Sequence, residues 1–415
     1  MNLLKLSWKN LWRNKTRSGV ILGAIALGLF AGTYLSAFMS GWMLGSVNDE
    51  IDTNLSHIQI RDTAFAENND INAYFLRENV KPKHSIFQKY GVFNVSYRLN
   101  INGMLASANN AVGVQANGVN VEEDKKVSIV WQTIPDSLGV FLPDDAKMPI
   151  VISAKTAEKL KAKLKSKIVF SFQDASGEMQ SAAFRVCGIF HTANTAFDEG
   201  NVFVRYSDLL PISALPEDGA HVAMLHFGGA KHALSLQKID EIAPEIKSLF
   251  PNLSVKSWKD LNPMFAMSLE YTDMMAVIIL GIFLLALAFG IINTMLMAVL
   301  ERTRELGMLR AIGMSRRKVF SMIMLETVLL TLVGSVIGVI AAVAVLIPSI
   351  KYGIDLTPLM GNNFEDYGFS SIIFPIVNIE MLIEIVILVI VAGILSAIYP
   401  ARKALKLKPL EAIRT

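Results

Sequence analysis

Charge vanishes from this chain in four long stretches, and those stretches dictate its outline. Ser18 to Asn48 is 31 residues without a charged side chain, and Met274 to Leu300 is 27 more. Val319 to Ile350 is interrupted only by Glu326, and Ile385 to Ala401 extends upstream through Met381–Ile383 across Glu384. An α-helix needs about 20 apolar residues to cross the hydrocarbon core, so the pattern predicts four transmembrane helices, at residues 18–48, 274–300, 319–350 and 381–401. The first stretch is far longer than a signal-peptide core and has no small-x-small cleavage site after it, so it is read as a span. Between the first two spans the pattern changes. "SKIVFSFQ" and "SAAFRVCGIF" flank "DASG", a strand–turn–strand signal. "TAEKLKAKLKSK" and "KHALSLQKIDEIAPEIKSLF" carry helical spacing, the second with a bend expected at Pro244. "NVSYRLNINGMLASANNAVGVQANGV" reads as strands with polar turns. Ser257 and Asp260 form a capping signal, after which the chain is expected to run, with an irregularity near Pro263, as a stalk into the second span. The expected architecture is a membrane α-helical protein with a large α+β extracytoplasmic domain, residues 49–273, inserted between helices 1 and 2.

Composition adds an orientation. The chain is 415 residues, 52% apolar, with a net charge of +3. Residues 1–17, 301–318 and 402–415 together carry +13 and the remainder −10. Basic residues collect in cytoplasmic loops, so both termini and the 301–318 segment are placed in the cytoplasm and residues 49–273 and 351–380 outside, in the inner (plasma) membrane of a cell. Such segregation does not describe a nucleic-acid-binding protein. At the N-terminus Leu4, Trp8, Leu11 and Trp12 share one helical face beside Lys5, Lys9 and Arg13, the pattern of an interfacial helix against membrane lipid. Small residues recur every four positions at Ala24, Gly28, Gly32 and Ser36, at Gly334 and Gly338, and at Gly393 with Ala397. They allow close helix approach within one chain or between two.

Catalytic patterns are missing. His57, His84, His191, His221, His226 and His232 lie scattered, with no HExxH and no ligand spacing. There is no G-x-S-x-G elbow and no phosphate-binding G-x-x-x-x-G-K-[ST] loop. The single cysteine, Cys187, falls inside a predicted strand and permits no intrachain disulfide. No catalytic, cofactor or metal residues are assigned, and the chain is not expected to be an enzyme.

The informative stretch is "ERTRELGMLRAIGMSRRK", residues 301–318. Topology alone would ask only for its arginines; Glu301 and Glu305 suggest a docking surface. "MLRAI" between Gly307 and Gly313 reads as a short helix. Gly313 can end it in a left-handed conformation and Ser315 can cap the third span. Glu326 is expected as a membrane-edge acid within reach of Arg316 and Arg317.

"ERTRELGMLRAIGMSRRKVFSMIMLE" resembles the cytoplasmic coupling segment of the four-span ABC permeases that include the lipoprotein-releasing and macrolide-export types. "SWKNLWRNKTRSG" resembles their N-terminal segment, "AFRVCGIFHTANTAFDEGNVFV" the core of their periplasmic domain, and "YPARKALKLKPLEAIR" their C-terminal signature. The resemblance spans about residues 7 to 414. "HIQIRD" and "SWKDLNPMF" look most like the lipoprotein-releasing branch, and the absence of a fused nucleotide-binding domain departs from macrolide exporters. The resemblance implies that Glu301, Arg304, Glu305, Gly307, Arg310 and Gly313 seat in a separate ABC ATPase dimer that binds ATP and Mg. It also implies a second permease copy or paralogue, a periplasmic lipoprotein carrier, and mechanotransmission in place of an aqueous pore. Two other functions remain open at this point: efflux of a small amphiphile or peptide through a tripartite assembly, and non-transporting regulation of a cell-wall hydrolase.

Overall fold

The computed structural model describes residues 7–9, 11–90, 94–108, 110–227, 232–360 and 371–406. Leu4, Lys5, part of the 351–380 loop and the tail from residue 407 onward lie outside the described residues. The chain divides into two units. One comprises Met1–Met43, Leu269–Ile354 and Ile373–Thr415, the other Leu44–Ser268 and Asp355–Ile372.

The first unit is built on four helices long and apolar enough to cross a membrane. They are Lys15–Glu50, Pro263–Glu301, Arg316–Tyr352 and Ile379–Lys406. In hydrocarbon every backbone polar group must be satisfied within the segment, and an apolar run of this length satisfies them only as a helix. The second helix starts at Pro263, eleven residues before its uncharged stretch, as the stalk reading requires.

Close approach between these helices follows the small residues. A Cβ on Gly334 would lie 2.8 Å from the Ile25 side chain, and one on Gly338 would lie 2.9 Å from the Ala26 carbonyl oxygen. Both distances are shorter than side-chain carbons tolerate, so only glycine lets the third helix sit this close to the first. Gly28 faces Leu287 and Gly32 faces Leu280, both on the second helix. Ala24 packs half-buried against the same apolar cluster, and Ser36 lies with Gly32 opposite Ala276, Ile279 and Phe283. The stripes predicted at Ala24–Ser36 and Gly334–Gly338 are thus occupied by packing inside one chain.

The second unit is a nine-stranded sheet. Its strands are β1 Ile58–Arg61, β2 Asn94–Ala106, β3 Ala111–Val119, β4 Pro149–Ser153, β5 Lys167–Gln173, β6 Met179–Phe190, β7 Asn201–Arg205, β8 Val222–His226 and β9 Ser254–Ser257. The order is β9-β1-β8-β2-β3-β7-β4-β6-β5. β3 runs parallel to β7, and β4 parallel to β6. β5 and β6 form the hairpin around "DASG". The far end of β2 also pairs with β5, Met104 opposite Ser171, so six strands close on themselves while β8, β1 and β9 extend the first half of β2 as an open sheet. Leu99, Ile101, Ile150, Ile168, Phe170, Phe172, Phe184 and Val186 fill the closed part.

One local reading is corrected. The helix predicted over "TAEKLKAKLKSK" spans Ala154–Leu160 and stops there, because Lys161 turns left-handed at φ 52° and the chain must reach β5 at Lys167. The capping pair Ser257–Asp260 opens a four-residue helix, Trp258–Leu261, and the irregularity expected near Pro263 is the break at Asn262 before the long helix.

Cys187 lies on β6, where its Sγ–H donates to the Ile150 carbonyl at 3.3 Å. Burial pushes its thiol up to about 11. At pH 8 it should react with a maleimide about a hundredfold more slowly than an exposed thiol, because only the thiolate attacks. Labelling of the native chain against a denatured control measures this, and equal rates would contradict the buried environment.

Candidate functional site

The segment between the second and third spans folds as an elbow. The second-span helix ends at Glu301, Arg302 interrupts at φ −100° and ψ 17°, and a new helix runs from Thr303 to Ala311. The short helix predicted to begin after Gly307, at Met308, therefore begins five residues earlier, with Gly307 buried inside it. Glu305 stands in its first turn and Arg310 in its last, each sign matching the helix dipole. Gly313 adopts φ +102°. Its N–H bonds the Arg310 carbonyl and the Met314 N–H bonds the Leu309 carbonyl, closing the helix in a Schellman motif. Ser315 then caps the third-span helix by accepting from the Lys318 N–H.

The elbow has two faces. Inward, Leu306 joins an apolar cluster with Leu11, Ile21, Met295, Val319 and Met322. Outward, Arg304, Met308 and Ile312 repeat every four residues, Met308 being 50% and Ile312 85% exposed. Arg316, Arg317 and Lys318 continue this exposed side, and Glu301 is exposed at the other end. The combination is an apolar stripe set among cations, suited to an apolar cleft with an acidic rim. Of the residues expected to dock, Arg304 points outward, Arg310 is half-buried, and Glu305 and Gly307 face the protein. Met308 and Ile312 were missed, although their spacing from Arg304 is visible in the sequence.

Glu305 is committed inside the chain. It accepts from Arg13 of the N-terminal segment and from Arg302 Nε at 3.3 Å. Its hydrogen bond from Arg13, with the nearby charge of Arg302, holds its carboxyl below the ordinary range despite some desolvation. Glu326 is the membrane-edge acid, 9% exposed. Its partner is Arg302, whose Nη1 lies 3.3 and 3.4 Å from the two carboxylate oxygens. This corrects the expected pairing with Arg316 and Arg317. Those two arginines open the third-span helix on the exposed side, whereas Arg302 lies under the elbow. These groups, with Asn14, Lys15, Ser18, Ile21 and Leu330, line a cleft of about 370 Å³.

In the N-terminal segment Leu11 leaves the face it was expected to share with Trp8 and Trp12. Ser7 and Leu11, not the tryptophans, point inward; Ser7 Oγ donates to the Met322 carbonyl at 3.3 Å. Trp8 and Trp12 stand outward, each 45% exposed, with ring centroids 6.1 Å apart. Lys15 already belongs to the first-span helix.

In the sheet unit, folding gathers histidines that the sequence scatters. His57 and His226 meet edge to face at 4.5 Å, and His226 Nε2 lies 3.0 Å from Asp52 Oδ1. His191 Nδ1 lies 3.1 Å from the buried Asp198. Among the described residues no group of three or more His, Cys, Asp or Glu side chains is arranged to hold a metal ion.

Comparison with known proteins points to the elbow and its flanking helices. Residues 277–409 match the family described as FtsX-like permease C-terminal. A macrolide export ATP-binding/permease protein, MacB, from Chlorobium luteolum is 37% identical over 30% of this chain and 16% of its own length. An uncharacterized ABC transporter permease of Methanocaldococcus jannaschii is 25% identical over 66% of this chain and 64% of its own. This chain therefore spans less than two thirds of either relative. The solved periplasmic region of MacB from Actinobacillus actinomycetemcomitans aligns with 54% of this chain and 98% of its own at 11% identity, TM-score 0.35. Residues 277–409 are thus similar to the FtsX-like permease family and the chain to ABC transporter permeases, and the chain is a multi-pass membrane protein with an α+β domain inserted between its first two spans.

Proposed function

We propose that this chain is the permease subunit of an ABC transporter whose ATP-hydrolysing subunit is a separate polypeptide, and that it releases lipoproteins from the inner membrane to a periplasmic carrier. The observation that carries the transporter reading is the two-faced elbow. Its inner face is anchored by Leu306 and Glu305, while Arg304, Met308 and Ile312 are presented outward. A solvated turn needs no such division. Closure of the ATPase around this outer face would move the elbow, and one uninterrupted helix leads from Glu301 back to Pro263. Both termini are cytoplasmic in this reading and the inserted domain is periplasmic.

Few charged groups lie within the spans, so a water-filled pore is disfavoured and mechanical transmission is favoured. The cargo argument is one of magnitude. Each buried CH₂ is worth roughly 0.8 kcal/mol, so three long acyl chains represent on the order of 30 kcal/mol if exposed to water. The chains must slide from lipid into an apolar groove between spans of paired permeases and then into a soluble carrier. The similarity to a macrolide exporter supports a second reading with the same motor, efflux of a small amphiphile through a tripartite assembly.

Purification with the native ATPase, followed by a lipoprotein-release assay with carrier present, tests the proposal. ATP-dependent release is expected. Co-purification of an ATPase without release, together with cross-linking of the inserted domain to an adaptor, would favour efflux. Capture of a cell-wall hydrolase would favour a regulator that moves no cargo.

A further inference from the structure

Arg302 is the one residue between two helices. The second-span helix ends immediately before it and the elbow helix starts immediately after it, with no side-chain cap at the break. A helix interrupted at one residue can bend there, so a force on residues 303–311 is not delivered to the second span by a continuous rod. Yet the Arg302 side chain bridges the break sideways. Its guanidinium reaches Glu305 on the elbow and Glu326 on the third span at the same time. Both side chains of the Glu326 pair are largely buried, 19% and 11% exposed, so this contact is less screened than a surface ion pair. The planar fork of arginine suits two carboxylates at once; a lysine ammonium does not impose that geometry. Arg13 completes the series from the N-terminal segment, although its side chain is 61% exposed.

Four charges of alternating sign thus connect three elements: Arg13, Glu305, Arg302, Glu326. We infer that Arg302 is the hinge pin of the elbow, a positioning residue that ties the coupling helix to the third span through Glu326 and, through the shared Glu305, to the N-terminal segment. Motion of the elbow is then handed to the third span directly and not only along the second. Without Arg302, Glu326 and Glu305 lose the guanidinium that bridges them, and the elbow loses its sideways restraint. The existence of the hinge rests on the chain's own contacts, whereas its use in transport rests on the permease reading.

A buried position reports on the hinge without any partner. In the full chain carrying Leu306→Cys, the introduced thiol should be protected from a maleimide, with slow-reacting Cys187 as internal reference. Adding Arg302→Ala or Glu326→Gln is expected to raise labelling at position 306 at least tenfold, and Arg13→Ala less. Arg302→Lys should restore part of the protection. The double variant Arg302→Ala with Glu326→Ala should label no faster than Arg302→Ala alone, since the Glu326 contact is already lost in the single variant. Unchanged labelling in Arg302→Ala, or multiplying effects in the double variant, overturns the hinge. The same variants are then assayed with ATPase, lipoprotein and carrier. ATPase should still co-purify with Arg302→Ala while ATP-dependent release falls at least tenfold. Full release despite raised labelling overturns the transmission role. Failure of the wild-type chain to bind any ATPase sinks the permease reading and leaves the labelling result to decide the hinge.

Discussion

The double variant Arg304→Glu with Ile312→Asp is expected to weaken binding of a purified partner ATPase by at least ~30-fold, the equivalent of about 2 kcal/mol. Both side chains lie on the outer stripe of the elbow, where Ile312 is 85% exposed. Exposed substitutions away from packing and buried networks cost within about 0.5 kcal/mol of fold stability, so the loss reports the interface and not the fold. The chemistry also sets the sign. A cation and an apolar anchor become two carboxylates, which adds repulsion to lost contact wherever the partner surface complements the native cationic, apolar stripe. Glu305→Arg gives a mixed result, because that carboxylate is held by Arg13 and Arg302 within the chain. A titration of immobilised permease with ATPase separates the two variants. An affinity within threefold of wild type for the outer-face variant would count against docking at this surface.

What could be read in advance follows from the range of the forces involved. The spans announce themselves because bilayer thickness converts directly into run length, and no distant residue is needed to recognise Met274–Leu300. Gly313 and Ser315 were equally legible, since a left-handed stop and a side-chain cap are local events. The start of the elbow helix was not. Gly307 suggested a boundary, but tertiary packing of Leu306 and Gly307 outweighs a cost of roughly 1 kcal/mol for glycine within a helix. The partner of Glu326 was missed for a related reason. Arg316 and Arg317 are nearer in sequence, but Arg302 is brought beneath the elbow by a helix break that no periodicity encodes. Leu11 was grouped with Trp8 and Trp12 because spacing identifies an amphipathic helix without saying which of its apolar residues meets protein. Closure of the sheet through Met104 and Ser171, and the meeting of His57 with His226, depend on pairings separated by 67 and 169 positions.

The inserted domain holds its own large effect at a place that carried no motif. Asp124→Ala in the full chain should destabilise this unit by about 3–5 kcal/mol, the usual cost of leaving one member of a buried ion pair alone. Arg98 on β2 is 3% exposed and Asp124 is 1% exposed. Arg98 Nε donates to Asp124 Oδ1 at 2.7 Å, and Ser96 Oγ lies 3.3 Å from the same oxygen. Asp124 is carried by the short helix Val121–Asp124, whose start is capped by Asn120 immediately after β3. The pair therefore fastens the end of β3 to β2 on the stretch of β2 that also pairs with β8. For a domain of this size the loss corresponds to a fall in melting temperature of roughly 6–20 °C. Replacing both members, Arg98→Met with Asp124→Leu, should cost much less, because no buried charge is left unpaired. The four spans are untouched, so membrane insertion should persist while amides of β2, β3 and β8 lose protection from hydrogen exchange. If Asp124→Ala melts within 2 °C of the native chain, or if the double replacement is the worse of the two, the contact is dispensable. In that case the domain's register must be held by its apolar core alone.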